Sequence, residues 1–345
     1  MSTRPPQNTP AILERGAPGG QGPAGGQGPA GGQGPAGGQG PARERRAVTI
    51  PRLAEMKAAG EPIAMVTAYD YPSAQVVEEA GADIVLVGDS AAMTVLGYTS
   101  TIPVGMTEML VLAAAVRRGL RTALLVGDLP FGSYESSDER AVENAQRFLK
   151  EAGCDAVKLE RGGTSVDRAR AIVRAGIPVM GHVGLTPQSA TSLGGYKAQG
   201  RTAGGAAQIA ADALALQEAG CFAIVFEAIP AAVTEALMPF MDVPIFGIGA
   251  GPATDGQVLV FHDLLGIFGG HTAKFVKRYA DVRGDMIRGV SDYVTEVRGR
   301  QFPGAEHGYG IAQEELAEFR RFLDRKAALP TTRASRLNVR HGRRP

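Results

Sequence analysis

Hydrophobic and polar positions alternate in blocks along most of this chain. Short apolar, β-branched runs each end on a polar residue, and a segment of helical period follows. The runs are IAMVTAYD (63–70), DIVLVGDS (83–90), TALLVGDLP (122–130), AVKLE (156–160), PVMGHVG (178–184), FAIVFEAIP (222–230) and VPIFGIGAG (243–251), with QVLVFHD (257–263) a weaker eighth. The segments between them read as helices with stop signals. SSDERAVENAQRFLKEAG is capped at Ser137 or Asp138 and ended by Gly153, and GGAAQIAADALALQEAG is closed by Gly220. Near-continuously apolar strands separated by helices predict a parallel sheet covered on both faces. Eight such units in roughly 200 residues predict an α/β fold of the (β/α)8 TIM-barrel type rather than an open sheet. Residues 49–60, TIPRLAEMKAAG, read as a short helix closing the barrel bottom. FVKRYADVRGDMIRGVSDYVTEVRG (275–299) reads as extra C-terminal helices forming a further layer.

The block pattern stops at both ends. From Gly16 to Ala42, glycine falls at every third position, which makes nine Gly-X-Y triplets. That is the period of a collagen triple helix. Its prolines sit mostly at X, however, Gln and Ala occupy Y, and no charge pairs are present to link neighbouring chains. Such a composition cannot bury enough surface to offset its chain entropy. Residues 1–46 are therefore expected to be a disordered tail with collagen-like triplets, and 47–328 the (β/α)8 domain. Residues 329–345, which include Arg333, Arg336, Arg340, Arg343 and Arg344, are expected to be a basic flexible tail.

Composition narrows the function classes. Of the 345 residues, 44% are hydrophobic, and 36 basic against 35 acidic residues leave a net charge of +1. That balance invites neither nucleic acid nor a membrane as partner. Cys154 and Cys221 have no metal-ligand spacing and read as reduced thiols of a cytoplasmic protein. No signal peptide or membrane span is expected from the apolar runs.

The polar residues that interrupt the strands carry the chemistry. In a (β/α)8 barrel, catalytic groups lie at the C-terminal strand ends, and here those ends are acidic. The second and third runs both close on LVGD, at Asp89 and Asp128, which predicts two carboxylates at matching heights on neighbouring strands. The fourth ends K-L-E, so the period of two puts Lys158 and Glu160 on one face with Leu159 opposite. Gly-Asp alone also makes an ordinary turn, but two aligned copies beside Lys158 and Glu160 predict a metal site at Asp89, Asp128 and Glu160. Three carboxylates share a dry site only with a cation, and an oxygen-only donor set selects a hard ion, Mg²⁺. Glu227 follows four apolar residues, so it is either paired in a structural salt bridge or tuned for proton transfer. His182 reads either as a core histidine bonded to backbone or as part of the site. GIGAG (247–251) lacks the spacing of a dinucleotide fingerprint and reads as a close-approach turn. A hard cation beside Lys158 and Glu227 suits proton removal next to a carbonyl, with a 2-oxo acid chelated by the ion, Ser90 on its carboxylate and Glu227 as base.

MVTAYDYPSA (65–74), LVGDSAAMTVLGYTST (86–101), DLPFGSY (128–134), VKLE (157–160), GHVGLTPQS (181–189), GGYKAQGR (194–201), FEAIP (226–230), GIGAGPATDGQVLVFHDLLG (247–266) and PGAEH (303–307) together resemble the ketopantoate hydroxymethyltransferase family. The resemblance spans about residues 47–307 and implies an Mg²⁺-dependent (β/α)8 enzyme. It would join 3-methyl-2-oxobutanoate to the one-carbon unit of 5,10-methylenetetrahydrofolate, giving 2-dehydropantoate in pantothenate biosynthesis. It further implies Asp89, Asp128 and Glu160 as metal-site acids, and Asp89, Ser90, Asp128 and Lys158 as oxo-acid contacts. Glu227 matches the proton acceptor and His182 a histidine near the substrate, and the assembly implied is a homodecamer. Two other readings compete. One is an Mg²⁺-dependent isocitrate lyase or phosphoenolpyruvate mutase-like enzyme; many of those lyases carry a cysteine in the loop after strand four, where this chain has RGGTS. The other is a collagen-like trimeric scaffold.

Overall fold

The computed structural model describes residues 45–270 and 272–327. All but the last two residues of the tail expected at 1–46, and all of the tail expected at 329–345, lie outside the described residues. Each of the eight apolar runs forms a strand: β1 Ile63–Thr67, β2 Ile84–Val87, β3 Leu124–Asp128, β4 Ala156–Lys158, β5 Val179–Gly184, β6 Ala223–Glu227, β7 Ile245–Ile248 and β8 Gly256–Leu259. Neighbours in sequence pair in parallel, and β8 returns to β1 to close the barrel. The expected fold class is the observed one.

Side-chain alternation sorts the core into two shells. Ile84 and Leu86 of β2 face Leu124 and Val126 of β3 inside the barrel. Val85, Val87 and Leu125 point outward into the layer packed under the helices. Those helices include α1 Ile50–Ala59, α2 Tyr71–Glu79, α3 Ala91–Thr94, α4 Met106–Gly119, α5 Asp138–Glu151, α6 Thr164–Arg174, α7 Ala203–Glu218 and α8 Ala231–Leu237. Their starts follow the capping chemistry: Ser137 accepts from Arg140 N at α5, and Thr202 accepts from Gly205 N at α7. α1 closes the barrel bottom, because its Leu53 and Met56 join the interior cluster and Val48 N donates to Thr122 O at 2.8 Å. At that lower end, Asp83, Asp155 and Asp255 accept from the backbone N–H of Ala64, Leu125 and Ile245.

Two departures from the expected pattern matter for function. No helix lies between β7 and β8, where Gly249 and Gly251 take positive φ around Pro252, and β8 is followed only by the short α9 Phe261–Leu264. The outer faces of β1 and β8 border an open groove there. The second departure is at the C-terminus. Residues 275–281 are not helical; α10 begins at Val282, where Asp281 supplies the N-cap by accepting from Gly284 N. Neither α10 (to Arg298) nor α11 Gln313–Ala327 has a buried residue, so they do not form a layer on this chain's barrel. Met286, Val290, Tyr293, Phe319 and Phe322 are all exposed on them.

Gly127 shows how tightly the strand and helix layers meet. It faces outward from β3, and a Cβ placed there would collide with the Phe148 ring of α5. Gly127→Ala is expected to destabilise the barrel by about 1–3 kcal/mol through overpacking. Chemical denaturation should show a lowered midpoint, and Phe148→Leu in the same chain should restore part of it.

Candidate active site

Strand period and strand ends bring the predicted residues together at the C-terminal mouth of the barrel. Asp128 is the last residue of β3, on the inward parity of Leu124 and Val126, and it stands directly opposite Lys158 on β4. Lys158 Nζ donates to both Asp128 carboxylate oxygens at 2.8 Å and lies 3.6 Å from Glu160 Oε1. Leu159 points outward between them into the helix layer. His182 points inward from β5, and its Nδ1 is 3.2 Å from Glu160 Oε1. Its Nε2 is 3.2 Å from Glu227 Oε2 without the alignment of a hydrogen bond. It is thus a member of the site, not a core histidine bonded to backbone.

The matching heights expected for Asp89 and Asp128 are not observed. Leu86 pairs with Val126 and Val87 with Gly127, so the two LVGD tetrapeptides are offset by one residue. Strands of a closed barrel are staggered by its shear. The offset gives Gly88, not Asp89, the position beside Asp128. β2 ends at Val87, and the turn leading into α3 carries Asp89 back over the barrel mouth. There its backbone N–H donates to Asp128 Oδ2 at 3.3 Å. Carboxylate oxygens of Asp89, Asp128 and Glu160 then lie within 4.8 Å of one another.

Charge is crowded in this space. Asp89, Asp128, Lys158, Glu160 and His182 are each 4% exposed or less. Burial pushes the Asp89 carboxyl well above its ordinary range, and the neighbouring charges of Asp128 and Glu160 push it further. Burial acts against the Lys158 ammonium, but Asp128, Glu160 and Asp89 outweigh it and hold the lysine charged. Burial likewise favours neutral Glu160, yet Lys158 and the His182 hydrogen bond keep it below the usual glutamate value. His182 is opposed by burial and by Lys158, but its two glutamates bring it up to about 9. Glu227 is less enclosed than its apolar run suggests. Its strand ends there, and its side chain, 15% exposed, opens onto the cavity.

Gln188 and Tyr134 belong to the site although the strand pattern does not single them out. Gln188 donates from Nε2 to Asp89 Oδ2 at 3.0 Å and from its backbone N–H to Glu160 Oε2 at 3.0 Å. Tyr134 OH donates to Gln188 Oε1 at 2.6 Å and accepts from Glu160 N. Ser90 Oγ lies 2.8 Å from Tyr69 OH, and burial pushes that phenol up to about 12. The only sequence signal for Gln188 and Tyr134 is their place in GHVGLTPQS and DLPFGSY. Asp89, Ser90, Asp128, Lys158, Glu160, His182 and Glu227 all line one cavity of about 1090 Å³. Gly249 and Gly251 line it too, and GIGAG is the expected close-approach turn: a Cβ on Gly249 would meet Phe275, and one on Gly251 would meet Ala231.

Known proteins resemble this chain to different depths. Residues 47–305 match the family described as ketopantoate hydroxymethyltransferase. A 3-methyl-2-oxobutanoate hydroxymethyltransferase of Moorella thermoacetica is 54% identical over 266 residues, covering 77% of this chain and 99% of its own. A 3-methyl-2-oxobutanoate hydroxymethyltransferase 1, mitochondrial, of Oryza sativa subsp. japonica is 50% identical over 287 residues, 81% of this chain and 79% of its own. Among solved structures, a phosphonopyruvate hydrolase complex with oxalate and Mg²⁺ aligns with a TM-score of 0.50 at 12% identity, over 81% of this chain and 96% of that one. That likeness is one of fold alone.

Gln188 bridges the acids without adding charge. Gln188→Leu removes a donor from buried Asp89 and the nearer acceptor of Tyr134 OH, which keeps only the 3.4 Å contact to Glu160 O, and stranding the Asp89 oxygen costs about 1–3 kcal/mol. A thermal melt should show a clear loss of stability, and unchanged melting would mean that the bridge contributes nothing.

Proposed function

The chain belongs to the ketopantoate hydroxymethyltransferase family, and we propose that it transfers a hydroxymethyl group from 5,10-methylenetetrahydrofolate to 3-methyl-2-oxobutanoate, giving 2-dehydropantoate. The observation that carries this reading is the carboxylate cluster around Lys158, with Glu227 at its open side. The cluster fits a hard divalent ion. Its donors are all oxygen, and burial, with the charges of Asp128 and Glu160 added to it, works against an ionised Asp89 unless a cation joins the three. Asp89, Asp128 and Glu160 would hold Mg²⁺. Bound there, the ion supplies Lewis acidity to the keto and carboxylate oxygens of the oxo acid.

The chain's own groups do the rest. Ser90 Oγ and the Lys158 ammonium orient the substrate carboxylate and add positive charge beside it. Glu227 faces the cavity and takes the C3 proton. His182 lies between Glu160 and Glu227, with its Nε2 3.2 Å from the base as a neighbouring charge. Water breaks the two C–N bonds of the methylene bridge, which releases tetrahydrofolate and leaves the one-carbon unit at the formaldehyde level. C3 bonds to that carbon, and its oxygen takes up a proton to become the hydroxyl of the product. Water is limited by the apolar lining that Leu86, Val225, Ile248 and Val258 contribute.

Residues 47–328 are assigned as the catalytic domain. Cytoplasmic placement is supported by two free, buried cysteines. No described helix is long and apolar enough to cross a membrane. The exposed apolar faces of α10 and α11 support a homo-oligomer, for which the family resemblance suggests a decamer. The lyase reading gains no support from cysteine chemistry, since Cys154 precedes β4, is 5% exposed, and has its thiol pKa pushed up by burial.

Asp128→Asn keeps the shape but removes one anionic donor, and is expected to weaken Mg²⁺ binding by about 10-fold or more. Turnover should fall with it and recover partly at high Mg²⁺; full activity in excess chelator would sink the metal assignment. Glu227→Gln preserves size and hydrogen bonding but cannot accept the proton. Turnover and C3 deuterium exchange in D₂O without folate should both drop by about 10²–10⁴-fold. Wild-type exchange without product formation would move Glu227 to the folate half-reaction.

A further inference from the structure

The cavity is far larger than a small branched oxo acid requires, and its electrostatics reverse from floor to mouth. Pockets for drug-sized ligands run roughly 300–1,000 Å³, and this one reaches about 1090 Å³. Its floor is the acid cluster with Glu227. Above it, Ile229, Pro230, Gly249, Phe268 and Phe275 make an apolar wall. The wall is flat at Gly249, whose positive φ and closeness to Phe275 leave no room for a side chain.

The mouth is basic. Lys197 and Arg201 lie on the segment after β5, which is pinned to the top of β6 where Gln199 N donates to Ala228 O at 2.9 Å. Lys274 lines the mouth beside Phe275, on the segment after α9. All three are exposed. Among the described residues, no side-chain hydrogen bond or ion pair ties them down. Asp263, the other acid of the lining, has Arg278 as its neighbouring charge. In a chain with 36 basic and 35 acidic residues, three uncommitted cations around one opening are a local excess that complements an anion.

We propose that Lys197, Arg201 and Lys274 form a subsite for the glutamyl carboxylates of the folate donor. This assignment rests on the folate-dependent reading above. A reduced folate is a flat heterocycle carrying its one-carbon unit at one end and carboxylates at the other. The floor acids repel the carboxylate end and the basic mouth attracts it. That polarity turns the pterin inward along the apolar wall and brings the reactive carbon toward the C3 position beside Glu227. Each further glutamate adds a carboxylate within reach of the same rim.

The test is calorimetry on the full-length protein with Mg²⁺ and oxo acid, titrating tetrahydropteroate, tetrahydrofolate and tetrahydrofolate triglutamate. In the wild type, affinity should rise along that series by about 3- to 30-fold, as expected for a few solvent-exposed ion pairs, and the rise should flatten in high salt. In the Lys197→Ala, Arg201→Ala, Lys274→Ala triple variant, the three ligands should bind alike, near the affinity of tetrahydropteroate. The subsite is overturned if the wild type shows no dependence on carboxylate number, or if the triple variant keeps it. C3 exchange by the wild type without folate separates the two levels of inference. Exchange with no folate binding refutes the subsite and leaves the oxo-acid chemistry standing. Absence of both refutes the functional reading, and the subsite with it.

Discussion

A buried ammonium ringed by carboxylates is the constraint on which this site depends. Lys158 stays charged at 3% exposure because Asp128, Glu160 and Asp89 surround it. Those acids in turn tolerate burial because the lysine and His182 are among them. Removing one member leaves the others as uncompensated charge in a dry environment, which costs more than the pair is worth when complete. Barrel geometry supplies the required distances. Asp128 and Lys158 are register partners across the β3–β4 ladder, and the two-residue period carries Glu160 to the same face. Gln188 and Tyr134 link the acids with neutral groups, so the lone pairs are occupied without adding further charge. Burial and the charges of Asp128 and Glu160 press hardest on Asp89, and a divalent ion would relieve that pressure.

Much of this was legible in the sequence because it depends on local period. The eight strands, the α1 plug, the cap at Ser137, and the shared face of Lys158 and Glu160 all follow from alternation or from a cap residue beside an apolar run. The heights of Asp89 and Asp128 were not legible. Two identical tetrapeptides look equivalent along the chain, whereas their offset is a property of the closed barrel. Gln188 was hidden for a related reason: its partners Asp89 and Tyr134 lie 99 and 54 residues away, and no periodicity marks such a bridge.

The C-terminal helices show a different limit. The helical reading of 275–299 announces α10, apart from the start that Asp281 sets, whereas α11 lies beyond that segment. The helical pattern does not say what lies against the apolar stripe. In the described chain that stripe is exposed, while the barrel lacks a helix between β7 and β8 and leaves a groove along β1 and β8. Burial of a helix face is a relation between surfaces, and large exposed apolar faces mark contact sites. The homo-oligomer proposed above would give both features a partner surface.

Acidic residues at the two ends of the barrel show how position decides the use of one chemical group. Asp155 and Asp255 at the lower end each accept a backbone N–H and an Arg or Lys side chain, and Asp83 accepts Ala64 N. Their lone pairs serve the ladder itself, because amides at the start of a parallel strand need acceptors. At the upper end, the free groups of the strands are carbonyl oxygens, which cannot donate to a carboxylate. Asp128 and Glu160 must therefore find donors among side chains and loop amides, and Asp89 finds Gln188. An acid at the start of a barrel strand is satisfied by the fold, whereas an acid at its end is left with capacity for a cation or a proton. The direction of the strand thus separates the structural acids of this chain from those assigned to its chemistry, although the sequence writes both as acids beside an apolar run.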